Sequence, residues 1–269
     1  MMTNRFKKYK FVLVAALFLG LFVVFSAQPA EAQGLLNPEG GMFPDISVNI
    51  GASDDPESAV ATLQVLLLIS IISLAPSLLV LLTAFTRIII VLSFARQAMA
   101  TQQMPPNQVL VGIALFLTMF IMAPTFSAIS ENAIQPLGAG EIDISTAIDR
   151  AWEPIQGFML HQMGSDSGAR SLDLFMDLSG TVVYAYEDIP ASVLIPAFII
   201  NELTMGFVMG FLIYLPFIVI DMVVASVLMS MGMMMLPPAM ISMPFKIMVF
   251  VLSGGWRFII ENLLNTFRP

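Results

Sequence analysis

Three ionisable residues stand at isolated points of a long apolar stretch. Glu202, Asp221 and Lys246 lie between positions 196 and 256, where nearly every other residue is apolar. An ionisable group in such a stretch is costly to bury, so it usually serves a function or has a charged partner. The two carboxylates could relay a proton or act in acid–base catalysis, and all three groups could form ion pairs.

The spacing of the two carboxylates argues against acid–base chemistry. Glu202 and Asp221 are 19 positions apart, which on one continuous helix is about 28 Å at 1.5 Å per residue. That separation is too large for two groups that share a proton. Catalysis and a proton relay therefore rank below the third hypothesis, in which Glu202, Asp221 and Lys246 make polar or ionic contacts between subunits.

Methionine is concentrated near the end of the chain. Eight of the twenty residues from 229 to 248 are methionine. The methionine side chain is unbranched and adaptable, so it fills irregular gaps and yields to neighbouring groups. The cluster is either flexible filler in a helix interface or a deformable constriction repeated around a ring by symmetry. The residues alone leave both hypotheses open.

The remaining polar residues give no sign of bond chemistry. The chain has no cysteine and therefore no disulfide, thiolate nucleophile or cysteine-ligated zinc. The single histidine, His161, lacks the neighbours of a metal-binding motif, and no nucleophile-elbow or phosphate-binding glycine motif is present. We predict no catalytic residue, no metal and no cofactor. Seven basic residues beyond the first ten positions are also too few for a nucleic-acid footprint.

The composition is that of a membrane protein. Hydrophobic residues make up 58% of the chain and charged residues 11%, with a mean hydropathy of +0.88, whereas a soluble domain is about 25% charged. The apolar surface therefore needs lipid or partner subunits to cover it. The pattern predicts an all-α membrane protein with about four long hydrophobic helices, arranged as helical hairpins, and a small helical extracytoplasmic region.

The first 58 residues are predicted to precede the membrane-embedded part. Residues 1–32 combine a basic start, an apolar run of about 15 residues and small residues before two candidate cleavage sites, after Ala27 and after Ala32. We interpret them as a signal peptide, because the run is shorter than the ~20 residues that span a bilayer. Residues 33–58 form a polar extracytoplasmic linker, near whose end Asp54 marks a helix start.

Residues 59–130 are predicted to form a first hydrophobic hairpin. The charge-free runs 58–86 and 107–130 are each long enough to span a membrane, and Pro76 is expected to kink the first of them. Arg87 and Arg96 follow the first run. By the positive-inside rule they mark a cytoplasmic turn.

Residues 131–188 are predicted to form an acidic helical region on the extracytoplasmic side, since they hold ten of the nineteen acidic residues. Pro154 is expected to interrupt and bend the first helix of this region. A second short helix is indicated by Leu172, Phe175 and Met176. The apolar residues that recur on one face of the first helix are Ile144, Ala147, Ile148, Ala151, Trp152, Ile155, Phe158 and Met159.

Residues 189–269 are predicted to form a second hydrophobic hairpin. Its arms are the apolar runs 189–220 and 246–269. Between them, the segment 221–245 is expected to form an irregular methionine-rich tip, because Pro237 and Pro238 break the helix there.

Three segments, within the range 63–256, resemble the FliP/SctR family of type III secretion export-gate proteins. The third is the most specific, because an Asp inside so apolar a run is unusual. The first segment comprises 85–94 (FTRIIIVLSF), Arg96-Gln97 and 101–110 (TQQMPPNQVL); the second, 195–198 (IPAF), Asn201-Glu202-Leu203 and Gly206-Phe207; the third, 215–228 (LPFIVIDMVVASVL), continuing to 241–246 (ISMPFK).

The resemblance implies a function and partners. Family members are core channel subunits of the flagellar protein export gate, the conduit for unfolded flagellar subunits through the bacterial inner membrane at the flagellar basal body. They form a homo-oligomer, a pentamer, that assembles with FliQ and FliR in contact with lipid and works with FlhB. The signal peptide favours the flagellar branch over the injectisome branch. A self-contained proton-coupled transporter is the alternative from another class.

The resemblance also implies roles for individual residues. It matches Glu202 and Lys246 to positions that form ion pairs between subunits, and it implies helices packed largely within the assembly. The chain departs from the family at Asn201, where Ser or Thr is usual, and at Val208, where a charged or amide side chain is common. The residues matched to a gasket that closes the pore are Met231, Met233, Met234, Met235, Met240 and Met243.

Overall fold

The structure, a computed structural model, describes residues 69–70, 73–74, 76–101, 104–180, 185, 188–233 and 236–267. The signal peptide, the linker and the helix start at Asp54 lie outside the described residues. The chain divides into two units, Met1–Ser77 and Leu78–Pro269. The described residues of the first unit are helical, and the site described below lies in the second.

Every regular element among the described residues is a helix. The first helices are α1 (Pro76–Leu82), α2 (Phe85–Ala98) and α3 (Asn107–Ile129), which continues through a π-helical turn (Ser130–Ile134) into the short α4 (Gln135–Gly138). The remaining helices are α5 (Ile144–Gln162), α6 (Asp166–Ser179), the 40-residue α7 (Ala191–Ser230), α8 (Pro238–Leu252) and α9 (Gly255–Asn265).

Among the described residues, two helical segments are long and apolar enough to cross a membrane, namely Asn107–Gly138 and α7. The helix pairs α1–α2 and α8–α9 are bent by 82° and 60° at the break between their two helices. If each bent pair forms one span, the described residues hold up to four candidate membrane spans. Only 11% of the most apolar window of α7 is buried within the chain, so its surface needs lipid or neighbouring subunits. These findings confirm the prediction of an all-α membrane protein.

α2 packs along α7 at the centre of the larger hydrophobic core, where Ile88 is fully buried. Two glycines of α7 permit the close approach. A Cβ atom at Gly210 would lie 2.5 Å from Cδ2 of Phe94, and a Cβ at Gly206 would lie 3.2 Å from Ile90. Small residues four positions apart are a common means of close helix packing in membranes.

α5 and α6 pack against the first turns of α7 around a second hydrophobic cluster. Its buried members include Met159 of α5, Leu172 of α6 and Phe198 of α7. The predicted second short helix is therefore confirmed by α6. A segment of this size cannot build a sizeable core by itself, and it shares one with α7.

The structure corrects the prediction for α5 in one respect. Pro154 lies inside a helix that runs from Ile144 to Gln162, rather than interrupting it. The apolar face is buried only in part, since Ile144 and Ile148 are 69% and 64% exposed while Met159 is fully buried. The start of α7 covers the C-terminal part of the face and leaves those two isoleucines uncovered.

The segment of the two arginines is a helix rather than a turn. Both Arg87 and Arg96 lie on α2, and a break at residues 83–84 separates this helix from α1. The kink predicted at Pro76 stays a prediction, because residue 75 lies outside the described residues. The segment is helical because its apolar residues pack between α7 and the rest of the core.

The tip of the second hairpin is shorter than predicted. α7 continues past Asp221 to Ser230, and α8 begins at Pro238. Residues 231–237 therefore connect the two helices, instead of 221–245. Pro244 lies inside α8, whereas Pro238 occupies the first helical position that proline favours.

Candidate functional site

A buried charge pair links α2 to α7. Arg87 and Glu202 are 1% and 0% exposed. Arg87 Nε donates to Glu202 Oε2 at 3.0 Å, and Arg87 Nη2 donates to Oε1. Two parallel bonds of this kind form the bidentate guanidinium–carboxylate geometry, which is strong and directional. Arg87 lies in the first turn of α2, which contains no acidic residue, and Glu202 supplies the negative charge that this end of a helix favours.

The C-terminal end of the chain completes the surroundings of Arg87. Its Nη1 donates to the carbonyl oxygen of Thr266 at 3.4 Å and to the Thr266 hydroxyl at 3.3 Å. The ring of Phe267 lies over the guanidinium, with 4.2 Å between Cζ and the ring centroid, within the range of a cation–π interaction. All three guanidinium nitrogens therefore have a partner, as a buried charge requires.

A second charge pair joins α7 to α8 across the hairpin. Asp221 Oδ2 accepts from Lys246 Nζ at 2.6 Å, and Asp221 Oδ1 accepts from the Ser242 hydroxyl at 2.6 Å. Lys246 is 2% exposed, whereas the side chain of Asp221 is 38% exposed. The carboxylate thus neutralises a buried cation from the edge of the hairpin.

Within the single chain, each of Glu202, Asp221 and Lys246 already has a charged partner. The sequence analysis predicts instead that they form contacts between subunits. Glu202 is sealed by Arg87, so it offers no free carboxylate for a proton relay. Asp221, on the same helix, retains exposed surface through which it can also reach a neighbour. The contacts between subunits stay a prediction.

The methionine cluster lies at the end of the hairpin and on the start of α8. Gly232, with φ of 76°, turns the chain there. Met240 and Met243 belong to α8 rather than to an irregular loop, and Met234 and Met235 lie outside the described residues. The members that the structure shows as exposed are Met231 (66%), Met233 (39%) and Met240 (67%).

Local structure accounts for other polar groups singled out in the sequence. Arg96 Nη1 donates to Asn107 Oδ1 at 2.8 Å and to the Pro105 carbonyl at 3.3 Å, and so ties α2 to the start of α3. His161 is exposed, with its Nδ1 at 3.2 Å from Gln162 Nε2. In the part of the chain that the structure describes, no three His, Cys, Asp or Glu side chains are grouped to hold a metal ion.

Asp143 caps α5, outside the apolar helices. Its carboxylate accepts from the backbone N–H of Thr146 at 3.3 Å and from the hydroxyls of Ser145 and Thr146. These hydrogen bonds, that from Ser145 above all, lower the pKa of Asp143 to about 2. They stabilise the ionised form at the positive end of the helix dipole.

Sequence reasoning does not find the partners of the buried charges. Arg87 is interpreted there as a cytoplasmic-side charge with no named partner, yet it pairs with Glu202, 115 positions away. Thr266 and Phe267 are not singled out at all. One signal was available, because Arg87 follows a charge-free run and precedes three isoleucines. It therefore stands in surroundings as apolar as those of Glu202.

A family model described as the FliP family matches residues 68–263. This range holds most of the described structure, including α2, both carboxylates of α7 and the hairpin with its methionines. The chain belongs to the FliP family. The resemblance found in the sequence is thereby confirmed.

Curated relatives of the FliP family match most of the chain. The flagellar biosynthetic protein FliP of Bacillus subtilis (strain 168) is 52% identical over 221 residues, which cover 82% of this chain and 98% of that protein. The protein of the same name from Treponema pallidum (strain Nichols) is 48% identical over 84% of this chain and 83% of its own length. That of Borreliella burgdorferi is 45% identical over 93% and 97%. The FliP family match ends at residue 263, so Thr266 and Phe267 lie beyond it.

Proposed function

We propose that this chain is a core channel subunit of the flagellar protein export gate and that it lines a pore for unfolded flagellar subunits in the bacterial inner membrane, at the flagellar basal body. As a member of the FliP family, the chain is a flagellar biosynthesis protein of the export apparatus. The proposed pore-lining role rests on the structure at the end of the hairpin. There, two apolar helices present exposed methionines at a turn.

The uncovered apolar surface supports an assembly of several copies. Phe207 and Phe211 of α7 are each 54% exposed, although both are large and apolar. An apolar groove of about 510 Å³ lies between the C-terminal half of α7 and α8. In the proposal, further copies of the chain, as a pentamer, and FliQ-, FliR- and FlhB-type subunits cover this surface together with lipid.

The proposed mechanism is gating. Hairpin ends from neighbouring copies meet around one axis, and their methionines close on one another at rest. Thioether side chains change rotamer easily, so a polypeptide can displace them and they can close again behind it. The members of this gasket are Met231, Met233, Met234, Met235, Met240 and Met243.

The hairpin must be held in place while its end deforms. The Asp221–Lys246 pair and the Ser242 hydroxyl fasten α8 to α7 beside the methionines of α8. We assign to the exposed edge of Asp221 a contact with the next subunit, since 38% of this side chain remains uncovered within the chain.

Replacing Met233, Met234 and Met235 together with alanine tests the gasket. Alanine removes the long side chains and leaves the backbone turn, so the assembled gate should leak ions. The measurement is the ion conductance of membranes that contain the complete gate. A matched control, M104A/M222A, removes two methionines that are 64% and 66% exposed but lie away from the turn, and its conductance should equal that of the native chain.

The triple variant with leucine at the same positions separates the effect of side-chain volume from the effect of side-chain flexibility. Leucine keeps apolar volume but is stiffer than methionine, so it should close the pore at rest and slow the export of substrates. An alanine variant that assembles normally and shows native conductance contradicts the gasket.

A further inference from the structure

α9 docks its apolar face beside the Arg87–Glu202 pair. Ile259 and Leu263 of α9, and Phe267 just past its end, recur every four positions and are 5%, 0% and 8% exposed. All three join the larger hydrophobic cluster. Phe267 also covers the Arg87 guanidinium, so one side chain both anchors the C-terminal end and shields the buried charge.

The last turn of α9 is arranged to accept hydrogen bonds from a cation. The Thr266 hydroxyl donates its hydrogen to the Leu263 carbonyl at 2.7 Å, which leaves the oxygen lone pairs to accept from Arg87. The Thr266 carbonyl accepts from the same Nη1. α9 carries no basic residue in its last turn, and Arg87 provides the positive charge that this end of the helix dipole favours.

We propose that α9 is a C-terminal latch that closes over the Arg87–Glu202 pair, and that the docking of α9 and the burial of this pair form one cooperative unit. Without α9, Nη1 of Arg87 loses both acceptors and the guanidinium loses its aromatic cover. Without Arg87, the end of α9 loses its cation and Phe267 loses its charged partner. The inference concerns α9 alone and does not depend on the pore.

The chain contains no cysteine, so a single introduced thiol can report the latch. Leu263 is fully buried, and in the L263C variant the rate of labelling by a small water-soluble maleimide measures the undocking of α9. The experiment uses the full chain in native membranes. N262C places a thiol at the neighbouring exposed position and corrects for reagent access.

Two substitutions remove the contacts to Arg87 with little change in size. F267L keeps an apolar side chain but removes the π face, and it should raise the labelling rate roughly two- to thirtyfold, the range expected for loss of a cation–π contact. T266V removes the hydroxyl acceptor and should also raise the rate. T266S keeps the hydroxyl and should label at the rate of the L263C chain.

The decisive comparison repeats F267L in the background R87M/E202L, which replaces both charges by apolar groups and leaves none unpaired. If the latch acts through Arg87, F267L raises the labelling rate less in this background than in the native one, because only the apolar packing of Phe267 is then lost. An equal increase in both backgrounds overturns the proposal. If the double variant is not recovered, R87K takes its place. Lysine keeps the positive charge but lacks the forked guanidinium that binds both Glu202 and Thr266, so the labelling rate should rise. An unchanged rate overturns the proposal.

Discussion

At the scale of single residues, the buried cations Arg87 and Lys246 are neutralised in different ways. Arg87 uses its planar fork to reach a sealed carboxylate, and its remaining nitrogen binds the C-terminal end. Lys246, a point charge, needs only the half-exposed Asp221. Removing one partner of a buried pair costs about 3–5 kcal/mol, whereas replacing both with apolar groups is often neutral. We therefore expect the Arg87 pair to fix which segments meet more than it adds net stability.

Asp143 makes the start of α5 sensitive to acid. Its folded pKa, about 2, lies below the ordinary 3.8, so the stabilisation is complete above the ordinary value and is lost as the pH falls from 3.8 towards 2. We expect the first-turn amides of α5 to lose hydrogen-exchange protection over this window. Protection relative to an unstructured peptide at each pH, resolved residue by residue, is the quantity to measure.

The variants D143N and D149N provide the comparison. Asn is as good a helix cap as Asp but does not titrate, so D143N should keep protection and abolish its dependence on pH. Asp149, exposed on the same helix, is not the cap, and D149N should retain the native profile. A native profile in D143N would show that another group governs the transition.

At the scale of elements, glycine spacing decides how closely α2 approaches α7. Gly206 and Gly210 form a smooth patch on α7 that receives Ile90 and Phe94 of α2. This contact sets the distance over which Arg87 must reach Glu202. A general pattern of apolar residues could not fix that distance, because many pairs of apolar helices pack equally well on hydrophobicity alone.

G210A should destabilise the chain by about 1–3 kcal/mol, the usual range for overpacking a core. The added Cβ would lie 2.5 Å from Cδ2 of Phe94, so the ring or the helix must move. G206A, whose added Cβ would lie 3.2 Å from Ile90, should cost less. The measurement is thermal unfolding in detergent. G112A, in α3, meets nothing within 4 Å and should be neutral or stabilising; a G210A midpoint no lower than that of G112A refutes the close contact.

At the scale of the whole molecule, the sequence predicts the class of fold and most of the helices, because long apolar runs and their polar interruptions reflect local physics. It does not predict the Arg87–Glu202 pair, since no local pattern relates residues 115 positions apart. The sequence also misplaces the end of α7, because Asp221 interrupts the apolar run of that arm. Its pairing with Lys246 lets the helix continue through it.

A charge placed in the middle of α7 tests whether the exposed apolar surface of this helix lies in lipid or against neighbouring subunits. Phe211 lies near the centre of this 40-residue helix and is 54% exposed. F211K would place a charge there. A lysine at the middle of a span raises the free energy of membrane insertion by roughly 3 kcal/mol. We expect a clear fall in the amount of chain that resists extraction from membranes, or in its recovery with gate partners.

The matched control is I148K, which changes an apolar side chain that is 64% exposed on α5, outside the candidate spans. It should leave membrane integration unchanged, because a lysine at that position remains in water. If F211K loses integration, α7 faces lipid during insertion. If it integrates normally but no longer recovers partners, the same face is covered by neighbouring subunits. Native behaviour in both measurements would refute burial of this face in either environment.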